Sequence, residues 1–161
     1  TADDTFLFDQ GPTRGLGKIR FHDYQLAYDT LDAPNVNLFK EQIEAFKRLL
    51  FKAGPDESQS RDIDYLLALG ECFTMIVYGQ LILENAPHLD ADEELLEQIF
   101  DFMVRDMSAH ALNIYSKTSS SAAQKELALK IIRAPVADPA RFDRVWSDRV
   151  FALRGCYKTG I

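Results

Sequence analysis

One segment limits the possible folds more than any other feature of this sequence. Residues 57–86 begin with polar side chains and continue through YLLALGECFTMIVYGQLIL, which is apolar on nearly all sides of a helix. Such a helix is usually the central one of several, because every side of it needs apolar neighbours. Glu71, Gln80 and Glu84 interrupt the apolar run well before it reaches the length of a membrane span. The segment therefore predicts the central helix of a bundle and no membrane span.

Two glycines, Gly70 and Gly79, lie inside this predicted helix. Each costs about 1 kcal/mol relative to alanine in a helix interior. We expect the close approach of a neighbouring helix to offset this cost at both positions. A bend of the helix at either glycine is the alternative.

A second helix is predicted before this segment, where apolar residues recur every three or four positions from Val36 to Ala53. Asn35 is its predicted N-cap, and Gly54 is its predicted C-cap. Pro55 prevents the helix from continuing.

A third helix is predicted after Pro87, and it extends to about Ser116. Asp90 and Glu93 have the spacing of a capping box, which predicts where it begins. Because the link from the preceding helix is short, the two helices are expected to form an antiparallel hairpin.

Two shorter helices are predicted in the C-terminal part of the chain. Ser121 and Gln124 have capping spacing before the first, and Asp138 and Pro139 are the predicted cap and first residue of the second, which ends near Gly155. The apolar positions assigned to these two helices are Leu127, Leu129, Ile131 and Ile132, then Phe142, Val145, Trp146, Val150 and Leu153.

These segments predict an all-α fold, an up-and-down bundle of about five helices. The bundle domain is expected over residues 35–161, preceded by an irregular lead or connector over residues 1–34. Only KIRFHDY, within that lead, has a strand-like pattern. No repeat of 20 to 50 residues is visible, which argues against a solenoid.

Composition narrows the expected partners and the cellular compartment. The chain has 161 residues, 47% of them hydrophobic, which suits a single globular domain. Its formal net charge of -7 disfavours nucleic acid and anionic lipid surfaces as partners. Cys72 and Cys156 lack the spacing of a zinc site or a disulfide framework, and no signal-peptide pattern opens the sequence. We therefore expect a cytoplasmic protein with reduced thiols.

The stretch GPTRGLGKIR, residues 11–20, has the composition of a phosphate loop but the wrong spacing. A P-loop needs four residues between its first glycine and its Gly-Lys pair, whereas five occur here, and Ile19 stands where Ser or Thr would bind magnesium. A solvated, flexible connector is the simpler interpretation. A reduced hypothesis remains, in which Arg14, Lys18 and Arg20 contact an anion that a partner supplies.

Asp106 and His110 are the candidate pair for chemistry, because residues four apart share one face of a helix. A structural pair is the simpler interpretation, and a catalytic or metal-binding pair is the alternative. No serine lies in a nucleophile elbow, and neither cysteine has a basic neighbour. The sequence therefore predicts no catalytic, cofactor-binding or metal-binding residue in this chain.

Several stretches together carry a resemblance to a known family. They are FLFDQGPTRGLGKIRFHDY, PNVNLFKEQIEAFKRLL, VYGQLILENA and MVRDMSAHALNIYSKTSSSAAQKELALKIIRAPVADPARFDRVW. Over nearly its whole length the chain resembles the C-terminal extension of large bacterial, particularly actinobacterial, acyl-CoA dehydrogenase-like flavoproteins.

The resemblance implies a parent enzyme that oxidises an acyl-CoA thioester and passes a hydride to FAD. It implies that FAD and acyl-CoA bind to a dehydrogenase core with its own β-domain, and that the parent is a homo-oligomer. No residue here matches the catalytic-base motif of that core, so neither a catalytic glutamate nor a flavin ligand is assigned to this chain. The opening TADDTF, which lacks an initiator methionine, fits a domain of a longer protein.

Three functions are therefore compared. The leading expectation is a noncatalytic accessory domain that packs on the dehydrogenase core and supports its oligomer or borders the acyl-CoA entrance. The second is an independent catalyst that uses Asp106 and His110. The third is a free-standing adaptor whose apolar stripe docks a partner helix.

Overall fold

A computed structural model describes residues 23–156, and all structural statements below refer to these residues. Every regular element in this range is helical, which confirms the all-α bundle. The six α-helices are α1 (Tyr24–Tyr28), α2 (Pro34–Ala53), α3 (Ile63–Asn85), α4 (Glu93–Ser116), α5 (Ala122–Leu129) and α6 (Pro139–Val145). Short 3-10 turns lie at Gln59–Arg61, Ala86–His88 and Phe151–Leu153, and a π-helical turn lies at Trp146–Val150.

The five predicted helices correspond to α2 through α6. The additional helix, α1, lies within residues 1–34, which we predicted to be irregular. Asp23 caps it by accepting a hydrogen bond from the Gln25 backbone N–H at 3.0 Å. Five residues are too short to form a stable helix alone, so α1 depends on its packing against α3.

The central position in the bundle belongs to α4, and our prediction that α3 holds it was wrong. Helix α4 packs against α2, α3, α5 and α6. Helix α3 packs against α4 and α1, and its remaining side carries exposed apolar residues. The α3–α4 hairpin is antiparallel, as predicted, since Asp64 at the start of α3 pairs with Lys117 at the end of α4.

The core lies between α2, α3 and α4. An aromatic cluster of Tyr28, Phe39 and Phe100 joins α1, α2 and α4, with ring centroids 5.6 to 6.1 Å apart. Such ring pairs add about 1 kcal/mol each beyond the area that they bury. Other fully buried apolar residues are Val36, Ile43, Phe46, Leu49, Tyr65, Cys72, Val104, Met107, Ala111, Ile114, Ala128 and Ile131.

The predicted close approach to the glycines of α3 is confirmed at Gly79. A Cβ atom there would lie 2.3 Å from the Tyr28 hydroxyl and 2.9 Å from the Met103 terminal methyl. That hydroxyl donates a hydrogen bond to the Ile76 carbonyl at 2.7 Å. At Gly70 the expectation was wrong, because a Cβ atom there would meet nothing within 4 Å.

The predicted caps of the two C-terminal helices are confirmed. Ser121 and Gln124 form a complete capping box at α5. Asp138 accepts from the Arg141 backbone N–H at 3.1 Å, and Pro139 is the first residue of α6. Helix α5 ends at Leu129, however, so the residues Ile131 and Ile132 that we assigned to it follow the helix.

Two other predicted caps were wrong. Helix α2 begins at Pro34 with Ala33 as its N-cap, and Asn35 lies buried inside the first turn. At α4 the N-cap is Asp92, whose carboxylate accepts from the Leu95 backbone N–H at 2.8 Å. Asp90 instead has a φ of 49°, in the turn before the helix.

Alanine at the two glycines of α3 is expected to have opposite effects on stability. Gly79→Ala should lower the free energy of unfolding by about 2 kcal/mol, because the new methyl group displaces the Tyr28 hydroxyl from its hydrogen bond. Gly70→Ala should raise it by up to about 1 kcal/mol through helix propensity alone. Urea unfolding of the two variants tests this, and equal effects would contradict it.

Candidate functional site

Of the sequence candidates for chemistry, the structure describes Asp106 and His110, and it does not pair them with each other. Arg14, Lys18 and Arg20 lie outside the described residues. The imidazole of His110 contacts α3 rather than Asp106, since its Nδ1 lies 3.1 Å from Glu71 Oε2. Among residues 23–156, no group of three His, Cys, Asp or Glu side chains is arranged to hold a metal ion.

The polar cluster that the structure does assemble is centred on Glu97 of α4. Asn35 donates to both oxygens of the Glu97 carboxylate, from its backbone N–H at 2.8 Å and from its side-chain Nδ2 at 2.7 Å. The Asn35 Oδ1 accepts from the Val136 backbone N–H at 2.8 Å. One amide side chain thus ties α2 to α4 and to the segment that precedes α6.

Arg141 of α6 completes this cluster. Its guanidinium donates to Gln98 Oε1 at 3.2 Å, to Glu97 Oε2 at 3.3 Å and to Asp101 Oδ2 at 3.4 Å. Asp101 also accepts from Arg105 at 2.5 Å, so two arginines balance two carboxylates. The side chains of Arg141, Glu97 and Asp101 are each less than 10% exposed. Burying these charges is costly, and the hydrogen bonds offset the cost.

The sequence contained one signal of this cluster that our reasoning missed. Glu97, Gln98 and Asp101 lie among the apolar positions Leu96 and Phe100 at the start of α4. Residues at i and i+4 share a helix face, so Glu97 and Asp101 indicate one polar patch within an apolar surface. Their partners Asn35 and Arg141 are far away in the sequence and do not follow from this spacing.

A groove of about 540 Å³ runs beside the cluster, between α4, the segment Pro135–Pro139 and α6. Most polar groups in its wall already have partners, because Gln98 and Asp101 accept from the Arg141 guanidinium and Asp138 accepts from the Arg141 backbone N–H. The guanidinium of Arg105 lies 4.5 Å from the Phe102 ring centroid. None of its lining residues is a serine, threonine, cysteine or histidine. What the groove offers a ligand is chiefly apolar and aromatic surface.

The last helical residues that the structure describes carry an exposed apolar surface. It consists of Phe142, Trp146, Val150, Phe151 and Leu153, which we call the C-terminal apolar surface. Each side chain is between 43% and 53% exposed. The Phe142 and Trp146 rings are stacked, with centroids 6.3 Å apart. Large apolar side chains grouped in this way indicate a contact surface for another molecule.

Ion pairs hold this surface against the beginning of α4. Arg144 donates to Glu94 from its Nε at 2.7 Å, and Arg149 pairs with Asp92. The backbone N–H of Leu95 and the guanidinium of Arg149 lower the pKa of Asp92 below its ordinary value. The ion pair of Arg149 thus links the irregular helical segment after Val145 to the start of α4, while the apolar side chains of that segment remain exposed.

A second apolar surface lies on α3. Ile63, Leu66, Leu67, Tyr78 and Leu81 are between 41% and 73% exposed and form what we call the α3 face. A groove of about 480 Å³ crosses it at Gly70 and Thr74.

By length and composition alone, the helical stretch Ile63–His88 is apolar enough to cross a membrane, since an 18-residue apolar window within it has a mean hydropathy of 1.7. Core helices of soluble proteins satisfy the same criterion, so the finding is weak evidence. In this chain 39% of the apolar window is buried, and Tyr65, Cys72 and Leu83 anchor α3 in the bundle.

Comparison with protein-family models, with curated proteins and with solved structures finds no match to this chain.

Replacing Arg141 by methionine is expected to lower the free energy of unfolding by about 3 to 5 kcal/mol, because Glu97 and Asp101 would remain buried without their shared partner. Arg144→Met serves as the matched control, since it removes an ion pair that water already screens. Urea unfolding should show a much larger shift of the midpoint for Arg141→Met. Similar shifts would show that the buried cluster is not a stability determinant.

The two thiols should differ in reactivity. Burial, with a smaller contribution from the Glu71 carboxylate, raises the pKa of Cys72 to about 12, whereas Cys156 is exposed. At about pH 8 only roughly one Cys72 in ten thousand is a thiolate. Iodoacetamide followed by mass spectrometry should label Cys156 in the native chain and label Cys72 only after unfolding. Rapid native labelling of Cys72 would contradict the packing of α3.

Proposed function

We propose that this chain is a noncatalytic accessory domain of an FAD-dependent, acyl-CoA dehydrogenase-like protein. In this proposal the domain packs on the dehydrogenase core and supports the oligomer or borders the acyl-CoA entrance. FAD and acyl-CoA bind to the core, and no residue of this chain is assigned to either. The protein acts in the cytoplasm.

The C-terminal apolar surface is the observation that carries the proposal. Five apolar side chains, two of them stacked aromatics, stay about half exposed although Arg144 and Arg149 link this segment to the start of α4. Exposing this area to water is unfavourable by about 25 cal/mol for each square ångström. A neighbouring domain that covers it would remove that cost. The resemblance of the sequence supplies the identity of the neighbour.

The groove beside the Glu97 cluster supports the same assignment. It adjoins the C-terminal apolar surface through Phe142, and Pro135 and Pro139 among its lining residues restrict the backbone. A rigid apolar groove next to exposed aromatic side chains suits a protein surface that inserts a few side chains. It presents no pair of a nucleophile and a base to a substrate.

The alternative is a free-standing helical adaptor. The observation in its favour is the α3 face, where the groove at Gly70 has room for a partner helix.

The first test is the intact mass and the visible absorbance of the natural gene product. We expect a yellow protein, several times heavier than 18.3 kDa, that oxidises an acyl-CoA. In that protein Trp146→Asp should lower the thermal stability of the oligomer, because it places a charge in the covered surface. Leu129→Asp, at a position of similar exposure on α5, is the matched control and should leave it unchanged.

A colourless product of about 18.3 kDa would contradict the proposal and favour the adaptor. A yellow product in which Trp146→Asp and Leu129→Asp behave alike would assign the docking to a different surface.

A further inference from the structure

We propose that two copies of this chain associate through α3, which pairs with α3 of the second copy in antiparallel orientation about a two-fold axis level with Cys72. This inference goes beyond the proposed function, because it uses a surface distinct from the C-terminal apolar surface and requires no flavoprotein core.

The outward side of α3 is a continuous apolar stripe. At 3.6 residues per turn its members lie within about 60° of one direction, and the stripe is about 27 Å long. Five of them are the exposed residues of the α3 face, and between these lie smaller side chains or a bare backbone. The members are Ile63, Leu66, Leu67, Gly70, Thr74, Val77, Tyr78 and Leu81.

The stripe is complementary to itself, which is the feature that identifies a second copy as its partner. A two-fold contact requires that if residue i meets residue j, then j meets i. Ile63 and Leu81 are equally far from Cys72 on either side. The distances of Leu66 and Val77 from Cys72 along the sequence differ by one residue, and so do those of Leu67 and Tyr78. Antiparallel pairing therefore places large apolar side chains against each other at both ends.

The centre of the stripe has the small residues that close helix packing requires. Gly70 and Thr74 flank Cys72 at equal distance in the sequence, and they meet each other across the axis. A Cβ atom at Gly70 would have nothing within 4 Å, so the backbone is open to a partner. Helices in contact have axes 8 to 10 Å apart, and small central residues favour the shorter distance.

Two of the three charged residues of α3 lie beside the stripe and have partners within the chain, and the third, Glu84, lies beyond the end of the stripe at Leu81 and accepts a hydrogen bond from Gln80. Glu71 contacts His110, and Asp64 pairs with Lys117. Pairing of two stripes therefore buries apolar area without leaving a charge unpaired, which would be costly. A single helix pair is smaller than a standard interface of about 800 Å² on each partner, so we expect a reversible, concentration-dependent dimer.

A lipid bilayer is the competing occupant of the same face. The opposite side of α3 is held in the core by Tyr65, Cys72 and Leu83, which prevents the helix from being surrounded by lipid. Glu71 and Glu84, together with the net charge of -7, oppose contact with anionic headgroups. The observations therefore favour a second copy over a membrane.

Sedimentation velocity over a range of concentrations of the 161-residue chain tests the association. Gly70→Lys should raise the dissociation constant of the dimer by about tenfold or more, because it brings two ammonium groups together at the axis. The new side chain has free space within its own chain, so circular dichroism and thermal unfolding should confirm an intact fold. Leu112→Lys, an exposed apolar position on α4 outside the stripe, is the control and should leave association unchanged.

Orientation is tested by crosslinking with a short bismaleimide in a Cys156→Ser background, which removes the exposed thiol. A mixture of the Ile63→Cys and Leu81→Cys chains should form the mixed dimer, and neither chain should crosslink with itself. Self-crosslinking of Ile63→Cys without the mixed product would show parallel pairing and overturn the proposal.

A chain that stays monomeric at every concentration would overturn it as well, as would a dimer that Gly70→Lys leaves intact. Sedimentation of the chain with phosphatidylcholine vesicles, abolished by Gly70→Lys, would assign the face to lipid instead. None of these outcomes depends on whether the natural gene product carries flavin, so failure of this proposal and failure of the proposed function are distinguishable.

Discussion

The carboxylate of Glu97 is the group on which the arrangement of the helices depends. It accepts hydrogen bonds from Asn35 on α2 and from Arg141 on α6, while its own backbone belongs to α4. A buried carboxylate tolerates little freedom in its partners, since each lost hydrogen bond leaves a desolvated charge. Apolar packing brings the helices together, and this carboxylate selects one relative position for α2, α4 and α6.

The two long helices of the hairpin, α3 and α4, differ in how much of their apolar surface faces the core. Helix α4 is amphipathic and central. The few polar residues on its inner side are hydrogen-bonded to Asn35 and Arg141. Helix α3 is apolar on nearly every side, although only part of its surface faces the core. High apolarity in α3 thus serves two contacts, one within the bundle and one available to another molecule. Gly79 accordingly lies on the side of α3 that faces the core, whereas Gly70 lies on its open side.

Local patterns in the sequence predicted most of the secondary structure. They failed where a residue far away in the sequence determines the position of a side chain. The periodicity of α2 and α4, the capping box at Ser121 and the start of α6 depend on neighbouring residues, and they are confirmed. Asn35 is a residue type that often caps helices, but here it is buried and donates a hydrogen bond to Glu97. The contact of His110 with Glu71 joins two helices, so spacing along α4 could not reveal it. The flavoprotein assignment stays a prediction, because the identity of the parent protein depends on resemblance alone.

The contacts of Asn35 and Arg141 also have a consequence for the order in which the chain folds. Asn35 and Val136 are 101 residues apart, and Arg141 and Glu97 are 44 apart. Closing such long loops costs entropy that local helix pairs do not incur, so these contacts form late. During synthesis, which proceeds from the N-terminus, the residues of α2 through α5 are made before Arg141. Until then Glu97 and Asp101 keep their hydration, and the emergence of α6 is the step that completes the burial of their carboxylates.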